Sequence, residues 1–159
     1  MRIAPPDSLR FDVMGPFGAN PTAAVVVGNR AEWVQPEDAV EQMIPNYPLL
    51  WAMFGVVRRP EPDAVVAGFQ DQESTVWRYV RGVDTLEYAR VERGDPKLMA
   101  VVRRAGEVIG LVETSLSRDG VPLKARLFVP SVPARLDIEF LSSSSTAAYP
   151  PETWRPRDP

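Results

Sequence analysis

Asp137 and Glu139 stand two residues apart in Arg135-Leu136-Asp137-Ile138-Glu139-Phe140, where apolar and charged residues alternate. On a strand both carboxylates project from one face, and such a pair can hold Mg²⁺ or Ca²⁺ or exchange protons with a substrate. Asp71 and Glu73 form a second pair beside a turn signal. A third constellation, Trp77, Arg78, Tyr79 and Arg81, mixes aromatic rings with positive charge, the combination that stacks bases and neutralises phosphates. The range of further chemistry is narrow, because the 159-residue chain has no Cys and no His. Thiolate nucleophiles, disulfides, imidazole bases and Cys- or His-ligated metals are all excluded.

Each constellation also has a plainer reading. Solvent faces of antiparallel sheets are normally charged, and Arg135 completes a mixed-charge row with Asp137 and Glu139. The alternating oxygen ligands, fixed Gly and distal Glu of a calcium loop do not follow Asp71. Asp84, Glu87 and Glu92 cancel much of the charge around Arg78 and Arg81, and Trp77 and Tyr79 fit one packed strand face. The glycines form neither a phosphate loop nor a dinucleotide fingerprint, and Ser142 to Ser145 lack the turn of a nucleophile elbow. No catalytic residue, metal ligand or cofactor is therefore expected.

The elements that must position these residues are short. Seventeen prolines punctuate the chain and leave little room for long helices. A hydrophobic share of 45% is that of a folded globular chain, and a net charge of −3 provides no general attraction for nucleic acid or anionic lipid. No apolar run is long enough for a membrane span, and Pro5-Pro6-Asp7-Ser8 stands where a signal peptide needs its apolar core. A cytoplasmic or virion location without membrane contact is expected.

Ala23 to Val27 and Arg30 to Val34 flank Gly28-Asn29 and predict a hairpin. Pro36 with Glu37 and Asp38 opens a short helix that must stop near Pro45. From Pro48, Leu49 to Val57 is apolar all round, which fits a buried helix or strand, or a surface meeting a partner, with burial favoured. Ala64 to Phe69, Thr75 to Arg81 and Leu86 to Val91 read as strands. Residues 95–116 fit either a helix with a stripe from Leu98 to Val112 or a hairpin around Ala105-Gly106. The hairpin is preferred because Gly106 and Gly110 would each cost a helix about 1 kcal/mol, whereas Gly110 in a strand marks a bulge or close approach. Arg118-Asp119-Gly120 is a turn, and Val121 to Val129 is a strand with Pro122 at its start or on an edge. Arg135 to Phe140 is the plainest strand of all. The expected fold is α+β and mainly β: an antiparallel sheet or small barrel or sandwich, one or two short helices near residues 36–57, and extended arms at both ends.

The arms carry the strongest positive signal. Residues 1–21 read as an N-terminal arm, 22–141 as a single β-rich domain and 142–159 as a Ser/Pro-rich tail. Tyr149, Pro150, Pro151, Trp154, Arg155 and Arg157 are expected to anchor that tail to a partner, since proline lowers the entropy lost on binding and Trp and Tyr dominate interface hot spots. The expected function is a non-enzymatic subunit of a larger homo- or hetero-oligomeric assembly, of the kind found in bacteriophage particles as capsid-decorating or tail-joining proteins. A small-molecule-binding or regulatory domain lined by Trp51, Phe54, Trp77 and Tyr79 is the alternative. A carboxylate enzyme using Asp71, Glu73, Asp137 or Glu139 stands third, and nucleic-acid binding fourth.

Overall fold

The computed structural model describes residues 1–4, 7–13, 22–35, 46–131, 135–144, 146 and 148–155. The helix expected from Pro36 to Pro45 lies outside them. The described chain is mainly β, with two antiparallel sheets and one short helix. It divides into two compact units, Met1–Tyr47 with Ser144–Pro159, and Pro48–Ser143.

In the first unit β1 (Arg2–Ala4), β2 (Ser8–Val13), β3 (Thr22–Val27) and β4 (Arg30–Gln35) form an antiparallel meander in that order. The Gly28-Asn29 hairpin forms as its turn residues predict, with Gly28 at φ 61°. Within the expected N-terminal arm, Arg2–Ala4 and Ser8–Val13 are strands, and β2 pairs with β3 over its whole length, from Ser8↔Val27 to Val13↔Thr22. Its alternation places Leu9 and Phe11 on one face and Arg10 on the other.

The second unit is a seven-stranded meander in which every strand lies beside its chain neighbour. Its strands are β5 (Val65–Gln70), β6 (Ser74–Arg81), β7 (Asp84–Val91), β8 (Lys97–Arg104), β9 (Glu107–Leu116), β10 (Pro122–Phe128) and β11 (Arg135–Glu139). Residues 95–116 are the hairpin, and Ala105 and Gly106 at its tip have φ of 49° and 86°, the positive values that two-residue hairpin loops need. Pro122 opens its strand, where no ladder donor is required. One row across the sheet runs Trp77↔Tyr88↔Ala100↔Val112↔Leu127 and supplies much of the core, ending on the exposed Leu136 of β11.

The helix α1 (Tyr47–Met53) lies on this face, burying Leu49, Trp51, Ala52 and Met53. It ends in a Schellman motif: the Val56 N–H donates to Trp51 O, the Gly55 N–H donates to Ala52 O, and Gly55 takes φ 75°. The buried Thr114 hydroxyl on β9 also donates to Ala52 O, at 2.8 Å. Gly110 is the close approach its position predicted, and it sits next to a bulge whose extra residue is Ile109. The β8–β9 register shifts there, and a Cβ on Gly110 would overlap Leu49 Cδ1. Gly110→Ala should lower stability in urea unfolding by about 1–3 kcal/mol, and by less when Leu49 has first been shortened to Ala. Strictly additive costs would show that α1 does not bear on Gly110.

Candidate functional site

The most densely built polar site lies in the first unit and starts from Arg10. Its side chain projects from the face of β2 opposite Leu9 and Phe11, yet the residue is only 2% exposed. Asp12, two residues on and therefore on the same face, accepts from Arg10 Nη2 at 3.0 Å and from Nε at 3.2 Å. The guanidinium lies 5.7 Å from the ring centroid of Trp33. A bulge brings that ring into place. Val26 faces Ala31, whereas Val25 faces Trp33, so Glu32 is the extra residue, and a regular register would have put Glu32 opposite Val25. Arg10 is the cross-strand partner of Val25, which places Arg10, Val25 and Trp33 in one row.

Two carbonyls of the C-terminal segment complete the shell. Arg10 Nη1 donates to Thr153 O and to Arg155 O, both at 2.9 Å. Pro150 is extended at φ −64° and ψ 150°, as a proline-rich tail predicts. Pro151 to Trp154 then make a 3₁₀ turn where a continuous polyproline-like backbone was expected. Pro151 fits the start of such a turn because its fixed φ suits it and its missing N–H is not needed there. The Thr153 N–H donates to Pro150 O and the Arg155 N–H to Glu152 O, which closes the turn and presents its last carbonyls.

Of the expected tail anchors, Tyr149 and Trp154 come together with ring centroids 5.6 Å apart at 82°, an edge-to-face contact, and both are half-buried. Pro150 and Pro151 shape the turn from exposed positions, and Arg155 contributes through its carbonyl. Arg157 lies outside the described residues. Sequence reasoning missed Arg10, Asp12 and Trp33. The alternation of β2 marks Arg10 as solvent-facing, and the segment that covers it lies 143 residues further on.

The other candidates are engaged elsewhere. Asp137 accepts from Arg135 at 2.7 Å and from Arg126 at 3.1 Å, and these bonds hold its carboxyl below the usual range. Asp71 accepts from the Glu73 and Ser74 N–H groups and the Ser74 hydroxyl, which likewise lower it. Neither carboxyl is poised to give or take a proton near neutrality. Trp77 and Tyr79 pack on the core face, Tyr79 edge-to-face with the buried Tyr88, while Arg78 reaches Glu87 and Arg81 reaches Asp63. Burial pushes the Tyr88 hydroxyl up, and it accepts from the Arg58 N–H. Trp51 is fully buried and Phe54 packs edge-to-face on Phe140, so these rings form core. Among the described residues no three Asp or Glu side chains are grouped as a metal would need, and no helix is long and apolar enough to cross a membrane.

In comparisons with known proteins, no family model, no curated protein and no solved structure matches this chain.

Two outcomes follow from these contacts. Arg10→Met should cost the first unit about 3 kcal/mol, because Asp12 and two carbonyls lose a charged donor together, and Trp emission should move to longer wavelength as Trp33 and Trp154 become wetter. An unchanged emission maximum would place Arg10 outside the contact. Glu87 is bonded by Arg78 and then Arg103, which hold it below its ordinary pKa. A lowered folded pKa gives stability that is present above the unfolded value and lost as pH falls through the folded one. Glu87→Gln should therefore lose less stability than the wild type when urea unfolding is compared at about pH 7 and about pH 3. Equal losses would mean that the Arg78–Glu87–Arg103 cluster does not bear on acid stability.

Proposed function

We propose that this chain is a non-enzymatic structural subunit of a larger assembly, joined to copies of itself or to related neighbours through its proline-rich C-terminal segment. The observation that carries this reading is the grip of the buried Arg10 on Thr153 O and Arg155 O. A buried side chain that binds main-chain carbonyls of a distant segment can hold the same segment of another chain as well as its own. The segment it holds follows Ser142 to Thr146, whose small polar composition is that of a linker. A tethered segment and its receptor on one chain can be exchanged between chains with the same contacts, a low-cost route from monomer to dimer. The carboxylates of Asp71 and Asp137, the main alternatives for chemistry, are held as ionised acceptors. The assembly that fits a small, Cys-free, His-free chain with a proline-rich end is a bacteriophage particle, where this chain would decorate a capsid or join tail components.

The experiment mixes two defective chains. One carries Arg10→Met, so it can donate a tail but holds one poorly. The other lacks residues 142–159, so it offers the Arg10 face but has no tail to donate. With Phe69→Lys in both chains, so that the exposed β5 edge adds no contact, light scattering after size exclusion should give a mass close to 17.7 kDa for the first chain alone and a little less for the truncated one. Their mixture should give the sum of the two. A mixture that stays at the monomer masses would overturn the tail as an assembly element.

A further inference from the structure

We infer that the free edge of the seven-stranded sheet, β5, pairs antiparallel with β5 of a second copy, making one continuous sheet across a two-fold axis at Gly68. This contact lies in the second unit and does not depend on the tail.

The two edges of this sheet are built differently. On β11 Arg135, Asp137 and Glu139 alternate along the strand, and such charges discourage further pairing. Every residue of β5 is exposed, yet the strand reads Val65-Val66-Ala67-Gly68-Phe69-Gln70, with no charge, no proline and no bulge against β6. Val65 is 70% exposed and Phe69 62%. An edge of this length without protection is a template for another strand.

The main chain decides which strand fits. The Asp71 N–H donates to Ser74 O at 3.0 Å, so the pair next to the strand end is hydrogen-bonded. Antiparallel ladders alternate, and the β5–β6 register is continuous, so Phe69, Ala67 and Val65 bond to β6 in turn. The N–H and C=O groups of Val66, Gly68 and Gln70 therefore point outward. A second β5 run antiparallel presents the same three residues. With Gly68 opposite Gly68, Val66 meets Gln70 at each end and all the outward groups are paired, making six hydrogen bonds. Sliding by one step of the ladder leaves Gln70 opposite Ala64, whose N–H is already donated to Glu61 O at 3.0 Å, or, the other way, leaves Val66 opposite Gln72, past the end of the strand. In the favoured register Phe69 of each copy covers Ala67 of the other at the closely spaced, non-hydrogen-bonded positions, which removes its exposed ring from water. The strand's lack of charge lets two chains of net charge −3 approach without like charges meeting along the contact.

The chain's lack of cysteine gives a direct test. In a hydrogen-bonded antiparallel pair the Cα atoms are about 5.5 Å apart, within disulfide reach. A side chain at position 68 meets only ordinary contacts within the chain, the nearest being Val76 O at 3.5 Å. Full-length Gly68→Cys should form a disulfide-linked dimer under mild oxidation about tenfold or more faster than Val83→Cys, an exposed position at the β6–β7 turn. Adding Phe69→Lys, a change at an exposed side chain, should abolish that advantage while leaving the circular dichroism unchanged. Equal crosslinking rates for Gly68→Cys and Val83→Cys would overturn the pairing. The crosslinking advantage of Gly68→Cys should persist when Arg10→Met is added, which separates this contact from the proposed role of the tail.

Discussion

A guanidinium taken out of water must find acceptors for its donors, and Arg10 finds them only because the far end of the chain returns to it. Asp12 balances the charge from the same strand face, and Trp33 offers a ring, but neither satisfies Nη1. Thr153 O and Arg155 O do. Removing that segment would leave a buried cation with only part of its shell, an expensive state in a low-dielectric setting. The composition of the first unit follows from this: β2 supplies the cation, the bulge at Glu32 supplies Trp33, and the proline-opened turn supplies carbonyls that point the right way.

The second unit rests on a different constraint, the seating of a seven-residue helix on a broad sheet. So short a helix has little stability of its own. It persists because three contacts converge on it. Gly110 lets Leu49 approach the backbone, Thr114 bonds Ala52 O, and Gly55 turns the chain away through a left-handed residue that satisfies the last carbonyls. Since the core lies on this face, the opposite one carries charged clusters such as Arg78–Glu87–Arg103.

Much of this was legible in the sequence. Turn chemistry fixed the hairpins at Gly28-Asn29 and Ala105-Gly106, and alternation fixed β11, because both signals are local. The cost of glycine in a helix correctly favoured strands over residues 97–116, and Gly110 has the close contact its position implied. The extended arm expected over residues 1–21 became sheet in part, because pairing with β3 depends on a partner strand that no local pattern of β2 announces. The tail's prolines and its two aromatic rings were legible, and the structure brings Tyr149 and Trp154 together beside an extended Pro150. Its receptor was invisible, since burial of Arg10 is decided by chain 143 residues away. The carboxylate pairs were legible only as candidates, and it took the third dimension to place Arg126 beside Asp137 and the Ser74 N–H beside Asp71.

The docking of the C-terminal segment on Arg10 is the claim on which the functional reading turns. Hydrogen–deuterium exchange of the full-length chain, followed on peptides covering residues 148–155, tests it most directly. Docked, on its own chain or on a neighbour's, the Thr153 and Arg155 amides exchange well below the random-coil rate, and Arg10→Met releases them while the amides of β7 to β9 stay protected. Random-coil exchange of those two amides in the wild-type chain would contradict the docking, and with it the tail as a contact element.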